Sequence, residues 1–287
     1  MIDLHCHLLP GIDDGSASVS MSLEMARIAL ADGITATACT PHIYPGLFEN
    51  RGDDIKRRAI ALSAQLQQAG LDLSLTFGAD IQLVPELLAG LQSGAMPTLG
   101  GSRYFLFEPP HHTVPTYFRQ LIFDVLAAGY VPVITHPERL TWLDEEYYPW
   151  FVEAVRDGAW IQITAGAVVG RFGRQPRYWS ERFLGDGLVH LLATDAHDPS
   201  RRPPLLSEGR RAAEAWVGSA EALRLVLDRP ASILEDRAPH EVAPPPGLAE
   251  DSPRQSGGGW LKRLFGGVSR RRSGTRGPGS GAGCAIA

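Results

Sequence analysis

Residues 1–15 read MIDLHCHLLPGIDDG, and two histidines one residue apart open the question of fold and chemistry together. In an extended strand successive side chains point to opposite faces. His5 and His7 would therefore share one face, with Leu4 and Cys6 on the other. Two imidazoles side by side at a strand end can grip one metal ion. Two ordinary histidines in a surface loop are the plainer alternative, and this stretch alone does not choose between them.

Working outward, short β-rich runs recur at 2–7, 34–39, 73–77, 104–107, 131–135, 160–164 and 188–193. Amphipathic stretches lie between them. In the first, Val19, Leu23, Ala26 and Leu30 recur at helical spacing before Gly33, a helix stop. The second, DDIKRRAIALSAQLQQAG, stops at Gly70, and the third, PTYFRQLIFDVLAAG, has Pro115 near its start and Gly129 at its end. Seven βα units in series argue for a parallel sheet, and so many suggest a closed barrel. An open doubly wound sheet is the alternative, but no glycine-rich phosphate loop follows the first run.

Composition narrows the function classes. With 287 residues, 44% hydrophobic and 21% charged, the chain can bury a sizeable core. Three scattered cysteines, Cys6, Cys39 and Cys284, make no disulfide framework and suit a reducing compartment. The first strand pattern begins at Ile2, and no apolar run approaches a membrane span, so a cytoplasmic protein is expected. The net charge of −5 is uneven: residues 251–287 carry seven Arg/Lys and one Asp, which leaves −11 on the remainder. So acidic a body excludes a general nucleic-acid binder. From Val242 the chain turns rich in Gly, Pro, Ser and Arg, which predicts a domain over 1–241 and a disordered tail over 242–287. Within that tail, 260–268 suits a brief basic amphipathic turn touching a membrane surface or a partner, against a plain solvated tail. The closing Cys-Ala-Ile-Ala fits the loose prenylation pattern, which we read as coincidence.

The chemistry gathers where the strands end. The first run ends in His5 and His7, the second leads to His42, the third to Asp80, the fourth to Glu108, the fifth to His136 and the seventh to Asp195 and His197. In βα barrels the carboxyl ends of the strands form the active-site face. Six of seven strands would place His, Asp or Glu there, which scattered structural residues would not do. The donors are nitrogen and oxygen, and Cys6 is read as a small core residue. Five histidines with several carboxylates exceed the needs of one ion, so two or three ions sharing carboxylate bridges are implied. Mn, Fe or Zn all suit such donors, and clustered divalent ions favour phosphate-ester hydrolysis. Arg139, three residues past His136, would grip phosphate, with Arg201 weakly preferred over Arg202 as its partner.

Taken together, DLHCHLLPGIDDG, the TPH around His42, HPER and the terminal DAH resemble the PHP (polymerase and histidinol phosphatase) superfamily. Their spacing is most similar to its bacterial metal-dependent protein-tyrosine phosphatases of capsule and exopolysaccharide operons. The resemblance covers about residues 1–240. It implies a distorted (β/α)7 TIM-like barrel with three metals, usually manganese. It further implies that His5, His7 and Asp195 hold one ion, Glu108 and His136 a second, and Asp14, His42 and His197 the third. Position 80 would bridge the first two; the family normally has Glu there, and this chain has Asp80. The resemblance also implies phosphate binding by Arg139 and an arginine after DAH, and a tyrosine kinase of polysaccharide assembly as partner.

The expected activity is hydrolysis of phosphotyrosine by a metal-activated hydroxide. No cysteine is followed six positions later by arginine, so the cysteine-nucleophile route to that activity is absent. The nearest rival is a PHP phosphatase of a small phosphoester such as histidinol phosphate or a nucleotide. An amidohydrolase also carries HxH on its first strand, but commonly bridges its metals with a strand-end lysine. The only lysines, Lys56 in a charged helical stretch and Lys262 in the tail, do not fit. A degenerate binding module is disfavoured because every ligand position keeps a competent donor. Four weaker features remain. His190 is expected as a core histidine, and His111 and His112 as loop residues with substrate contact the alternative. Asp13 is expected to shape its loop, and Tyr44, Tyr147, Tyr148 and Trp150 to line a peptide mouth or simply to pack.

Overall fold

Among the described residues, nine parallel strands occupy seven positions around a ring. The computed structural model describes residues 1–249. The strands are β1 (Ile2–Cys6), β2 (Ala36–Cys39), β3 (His42–Ile43), β4 (Ser74–Phe77), β5 (Asp80–Gln82), β6 (Tyr104–Glu108), β7 (Val131–Thr135), β8 (Trp160–Thr164) and β9 (Leu191–Ala193). They pair in the orders β1-β2-β4 and β3-β5-β6-β7-β8-β9. Two of the expected strands, 34–39 and 73–77, are each followed by a short further segment, β3 after a break at Thr40-Pro41 and β5 after a break at Gly78-Ala79. Backbone bonds from Gly78 N to Cys39 O (3.0 Å) and from Asp80 N to Pro41 O (3.1 Å) carry the ladder across both breaks. On the far side, Asp195 N donates to His5 O (2.8 Å) and His7 N to Ala196 O (2.9 Å), joining the end of β9 to β1. The expected distorted seven-position barrel is the architecture observed.

Burial on both faces explains why β6, β7 and β8 read as near-continuous apolar runs. Every residue of YFLFE, VPVIT and WIQIT is buried. The inward set, including Ala38, Tyr104, Leu106, Val131, Val133, Trp160, Leu191 and Ala193, packs as an inner core. Phe105, Phe107, Ile134, Ile161 and Ile163 face outward into the larger layer shared with the helices. Leu99 and Ile233 pack into the inner core from outside the strands, the latter from the helix Asp228–Leu234.

Strand β1 departs from simple alternation. Its register against β2 shifts between Asp3 and Cys6, where three steps on β1 match two on β2. Leu4 joins the inner core and Cys6 the outer layer, so the expected sharing of a face by Leu4 and Cys6 does not hold. A bulge of this kind re-aims side chains beside a site. His5 and His7 still converge, as expected.

The helix α1 (Val19–Ala31) is also rotated from its expected stripe. Its buried residues are Ser22, Met25, Ala26 and Ala29, while Val19 is exposed. Ser22 is inside because its hydroxyl donates to Leu8 O (2.7 Å). The second expected helix spans Gly52–Gln68 and the third Phe118–Ala127, starting after Pro115. Where the tail was expected to begin, residues 242–249 lie on the barrel: the buried Arg229 donates to Ala243 O (2.9 Å) and Pro244 O (3.0 Å), and Gly247 N to Gly187 O (2.9 Å). The rest of the expected tail, with its amphipathic turn at 260–268 and its final Cys-Ala-Ile-Ala, lies outside the described residues. Among the described residues, no helix is long and apolar enough to cross a membrane.

Candidate metal centre

All nine expected ligands converge at the carboxyl ends of the strands. His5 on β1 and His7 directly after it present their Nε2 atoms to one another at 3.2 Å. Each is aimed from behind: His5 Nδ1 meets Gln162 Oε1 at 2.8 Å, and His7 Nδ1 meets Asp13 Oδ2 at 2.8 Å. Such outer partners fix the ring orientation and tautomer of a ligating histidine. Asp13 also accepts from the backbone N–H of Gly15 and of His42, so it shapes the loop, as its sequence context suggested.

The next candidate donors surround Asp80, the first residue of β5. Its Oδ1 accepts from the Thr135 hydroxyl (3.2 Å), which leaves Oδ2 facing the centre. Oδ2 lies 3.5 Å from His5 Nε2, 3.5 Å from His42 Nδ1 and 3.8 Å from His136 Nε2. His136 Nε2 lies 3.6 Å from Glu108 Oε1. Asp195 Oδ1 is 3.5 Å from His5 Nε2 and 3.4 Å from His7 Nε2. At the open side, Asp14 Oδ1 is 3.3 Å from His197 Nε2 and 3.5 Å from His42 Nε2. His136 and Asp195 both sit at positive φ, 33° and 50°. For side chains other than glycine such backbone costs about 1–3 kcal/mol, and it gathers at functional sites.

Donor sets within 4.8 Å of one another are His7/Asp14/His42/His197, His5/His7/Asp80, His5/His136/Asp195, Glu108/His111/His136 and His42/Asp80/Glu108. Separations near 3.5 Å are loose for hydrogen bonds. They suit two donors that each bind one ion at roughly 2.0–2.2 Å. Several buried donors lack a hydrogen-bond partner among the described residues, including His42 Nδ1, Asp80 Oδ2 and Glu108 Oε2. Electrostatics point the same way. Burial, and then the charges of Asp80 and Asp195, push the Glu108 carboxyl well above its usual range. Asp80 is held well below, its burial outweighed by His5, His136 and His42. One carboxyl stays charged at the expense of the other, as happens where negative charge exceeds its protein counter-charge. Imidazole and carboxylate donors with unmet valence fit divalent cations.

Two guanidinium groups border the cluster. Arg139 Nη1 and Arg202 Nη2 both donate to Asp195 Oδ2, and Arg202 also donates to Asp195 O (3.0 Å). Both lie over the ring of Phe172, at 4.7 Å and 5.8 Å from its centroid. The structure turns Arg202, not the expected Arg201, toward the cluster. The Arg201 side chain is 90% exposed and reaches only Asp198, at 3.9 Å, because the turn after His197 directs residue 202 inward.

Other expectations divide. His190 is buried, stacks on Trp160 and accepts from Ile161 N through Nδ1 (3.2 Å), as a core histidine. Tyr44 stands edge-on to His42. Tyr147 and Trp150 pack with each other, and Tyr148 packs with Trp179 and Phe183. Cys6 and Cys39 are buried, free and outside the ligand cluster. His111 lies in a loop, as expected, but is only partly exposed, with Nε2 3.2 Å from Glu108 Oε1. Reading by ligand type also passed over Asp3, Gln162 and Phe172. Asp3 ties β1 to the β9 end by accepting from Thr194 N (2.9 Å) and its hydroxyl (2.5 Å). The signal for Gln162 was present: a lone amide inside the apolar run WIQIT.

The comparisons agree in sequence and in structure. A family model described as capsular polysaccharide synthesis, CpsB/CapC, matches residues 1–235. Tyrosine-protein phosphatase YwqE of Bacillus subtilis (strain 168) is 36% identical over 202 residues, which cover 70% of this chain and 79% of that protein. Tyrosine-protein phosphatase CpsB of Streptococcus pneumoniae is 29% identical over 242 residues, 83% of this chain and 99% of that one. A solved structure from the work on YwqE and CpsB, which describes them as metal-dependent tyrosine phosphatases, matches with a TM-score of 0.77 at 33% identity. It covers 83% of this chain and 96% of its own. A β-aspartyl dipeptidase from Fervidobacterium islandicum matches with a TM-score of 0.50 at 15% identity, covering 81% of this chain and 72% of that one, a likeness of fold alone.

Proposed function

The chain belongs to the CpsB/CapC family of capsular polysaccharide synthesis, and from that premise we propose that it is a metal-dependent protein-tyrosine phosphatase. The observation that carries the reading is the convergence of five histidines and four carboxylates on one cluster, with two arginines at its edge. The ligand roles proposed are those implied by the PHP resemblance: His5, His7 and Asp195 for one ion, Glu108 and His136 for a second, Asp14, His42 and His197 for a third, and Asp80 shared between the first two. Mn is the proposed metal, two or three ions in number. When bound, such ions supply Lewis acidity toward the phosphate oxygens and lower the pKa of a coordinated water.

The chain's own residues do the rest. Gln162 and Asp13 hold the His5 and His7 rings with Nε2 toward the cluster, and Thr135 holds Asp80 with Oδ2 toward it. Arg139 and Arg202 are held by Asp195 and the Phe172 face, where a phosphate group can exchange for the carboxylate in their forks. His42 is flanked by Tyr44 and stacked under Phe48 (5.7 Å, 13°). These rings offer an apolar wall to the aromatic leaving group of a phosphotyrosyl peptide. A cytoplasmic location and a tyrosine kinase of polysaccharide assembly as substrate protein complete the proposal.

The test is an assay of the purified full chain on phosphotyrosyl peptide, histidinol phosphate and nucleotides, before and after chelation and with Mn restored. Preference for the phosphotyrosyl peptide, lost on chelation and restored by Mn, is expected. Preference for histidinol phosphate or a nucleotide would overturn the substrate, and full activity after chelation would overturn the metal mechanism.

A further inference from the structure

His111 is a histidine that the ligand pattern does not use, yet it faces the ligands. It follows Glu108 by three residues in EPPH, beyond two prolines that stiffen the exit from β6. The loop after β7 then clamps it. Thr141 donates to His111 O through both its backbone N–H (3.0 Å) and its hydroxyl (2.9 Å), and the Trp142 indole donates to Pro110 O (2.7 Å). So held, His111 Nε2 lies 3.2 Å from Glu108 Oε1, and its ring centroid lies 5.2 Å from that of His136. Glu108, His111 and His136 each bring one donor atom to within 4.8 Å of the others, while Glu108 Oε2 is buried and unpartnered.

We propose that His111 is a third protein donor to the ion position formed by Glu108 and His136, a proposal that rests on the metal-dependent reading above. The position then has two imidazoles and one carboxylate of its own, besides its share of Asp80. Its neighbour His112 turns the other way, to Thr141 Oγ1 (3.3 Å), and serves as the internal control.

The experiment titrates Co(II), chosen for its visible absorption, into the metal-stripped full chain, into His111→Ala and His111→Gln, and into His112→Ala. Circular dichroism checks the fold of each. In both His111 variants one ion should bind at least about tenfold more weakly, with a changed absorption band, and free imidazole should restore the band in His111→Ala. His112→Ala should match the parent. Affinity within twofold of the parent and an unchanged band would overturn the proposal. So would weaker binding with an unchanged band and no imidazole rescue, which would make His111 a partner that merely orients Glu108. Failure of the parent chain to bind Co(II) would instead sink the metal-dependent reading itself.

Discussion

At the scale of single residues, Asp80 decides most. It stands where the PHP resemblance implies the longer Glu, and it starts β5 directly after the break at Gly78-Ala79. A Cβ at Gly78 would lie 2.8 Å from Leu99 Cδ2, so glycine lets this backbone close in. With Oδ1 engaged by Thr135, a single oxygen faces three imidazoles. Asp80→Asn replaces a charged donor with an amide. Turnover should fall by more than the roughly 10–100-fold typical of losing an outer partner, with less metal retained. Near-normal metal content and rate would show that Asp80 is no shared ligand. The arginines make a paired test. Arg202→Ala should lower kcat/KM by about 10–100-fold, the equivalent of about 1.5–3 kcal/mol for hydrogen bonds to a charged group. Arg201→Ala should stay near the parent value; the reverse ranking would return phosphate binding to Arg201.

At the scale of elements, β8 shows how a strand without a ligand still serves the site. Gln162 aims His5, while Trp160, two residues earlier, stacks on His190 at 4.8 Å. Burial, and then the Arg229 charge, hold His190 well below the ordinary histidine value, so it is neutral in the fold. The unfolded chain takes up that proton near pH 6.5. Because the folded pKa is the lower one, this contribution to stability is complete above about pH 6.5 and declines as pH falls below it. The slope is at most about 1.4 kcal/mol per pH unit. His190→Asn keeps an acceptor near Ile161 N and removes the titration. Its urea midpoint should vary less between pH 6.5 and 5 than the parent's. Equal slopes in the two proteins would mean that His190 does not titrate differently on folding.

At the scale of the whole molecule, the barrel continues past its last helix. Residues 242–249 supply the carbonyls that satisfy Arg229, which is buried against Glu221 (2.7 Å). Ending the chain after Ala249 should leave phosphatase activity and thermal midpoint unchanged. Ending it after Glu241 should cost about 1–3 kcal/mol, as buried guanidinium donors lose their partners. Equal midpoints for the two truncations would show that the segment adds nothing to the barrel.

What the sequence determined by itself was chemical identity and order. Each ligand type is written beside a strand-length apolar run, and parallel βα units bring such strand ends to one face whatever their exact bounds. The convergence of the nine candidate donors, the place of Arg139 beside them and the seven-position ring were therefore legible. Tertiary structure decided what depends on direction rather than identity. The bulge that separates Leu4 from Cys6 and the turn that brings Arg202 in and leaves Arg201 out are set by backbone torsions that one-dimensional periodicity does not encode. His111 is turned toward Glu108 by Thr141 of the next loop, and Gln162 and Asp3 join the site through partners 157 and 191 residues away, Gln162 to His5 and Asp3 to Thr194. Contacts at such separations exist only once the ring has closed, because closure, not local pattern, brings β8 and β9 against β1.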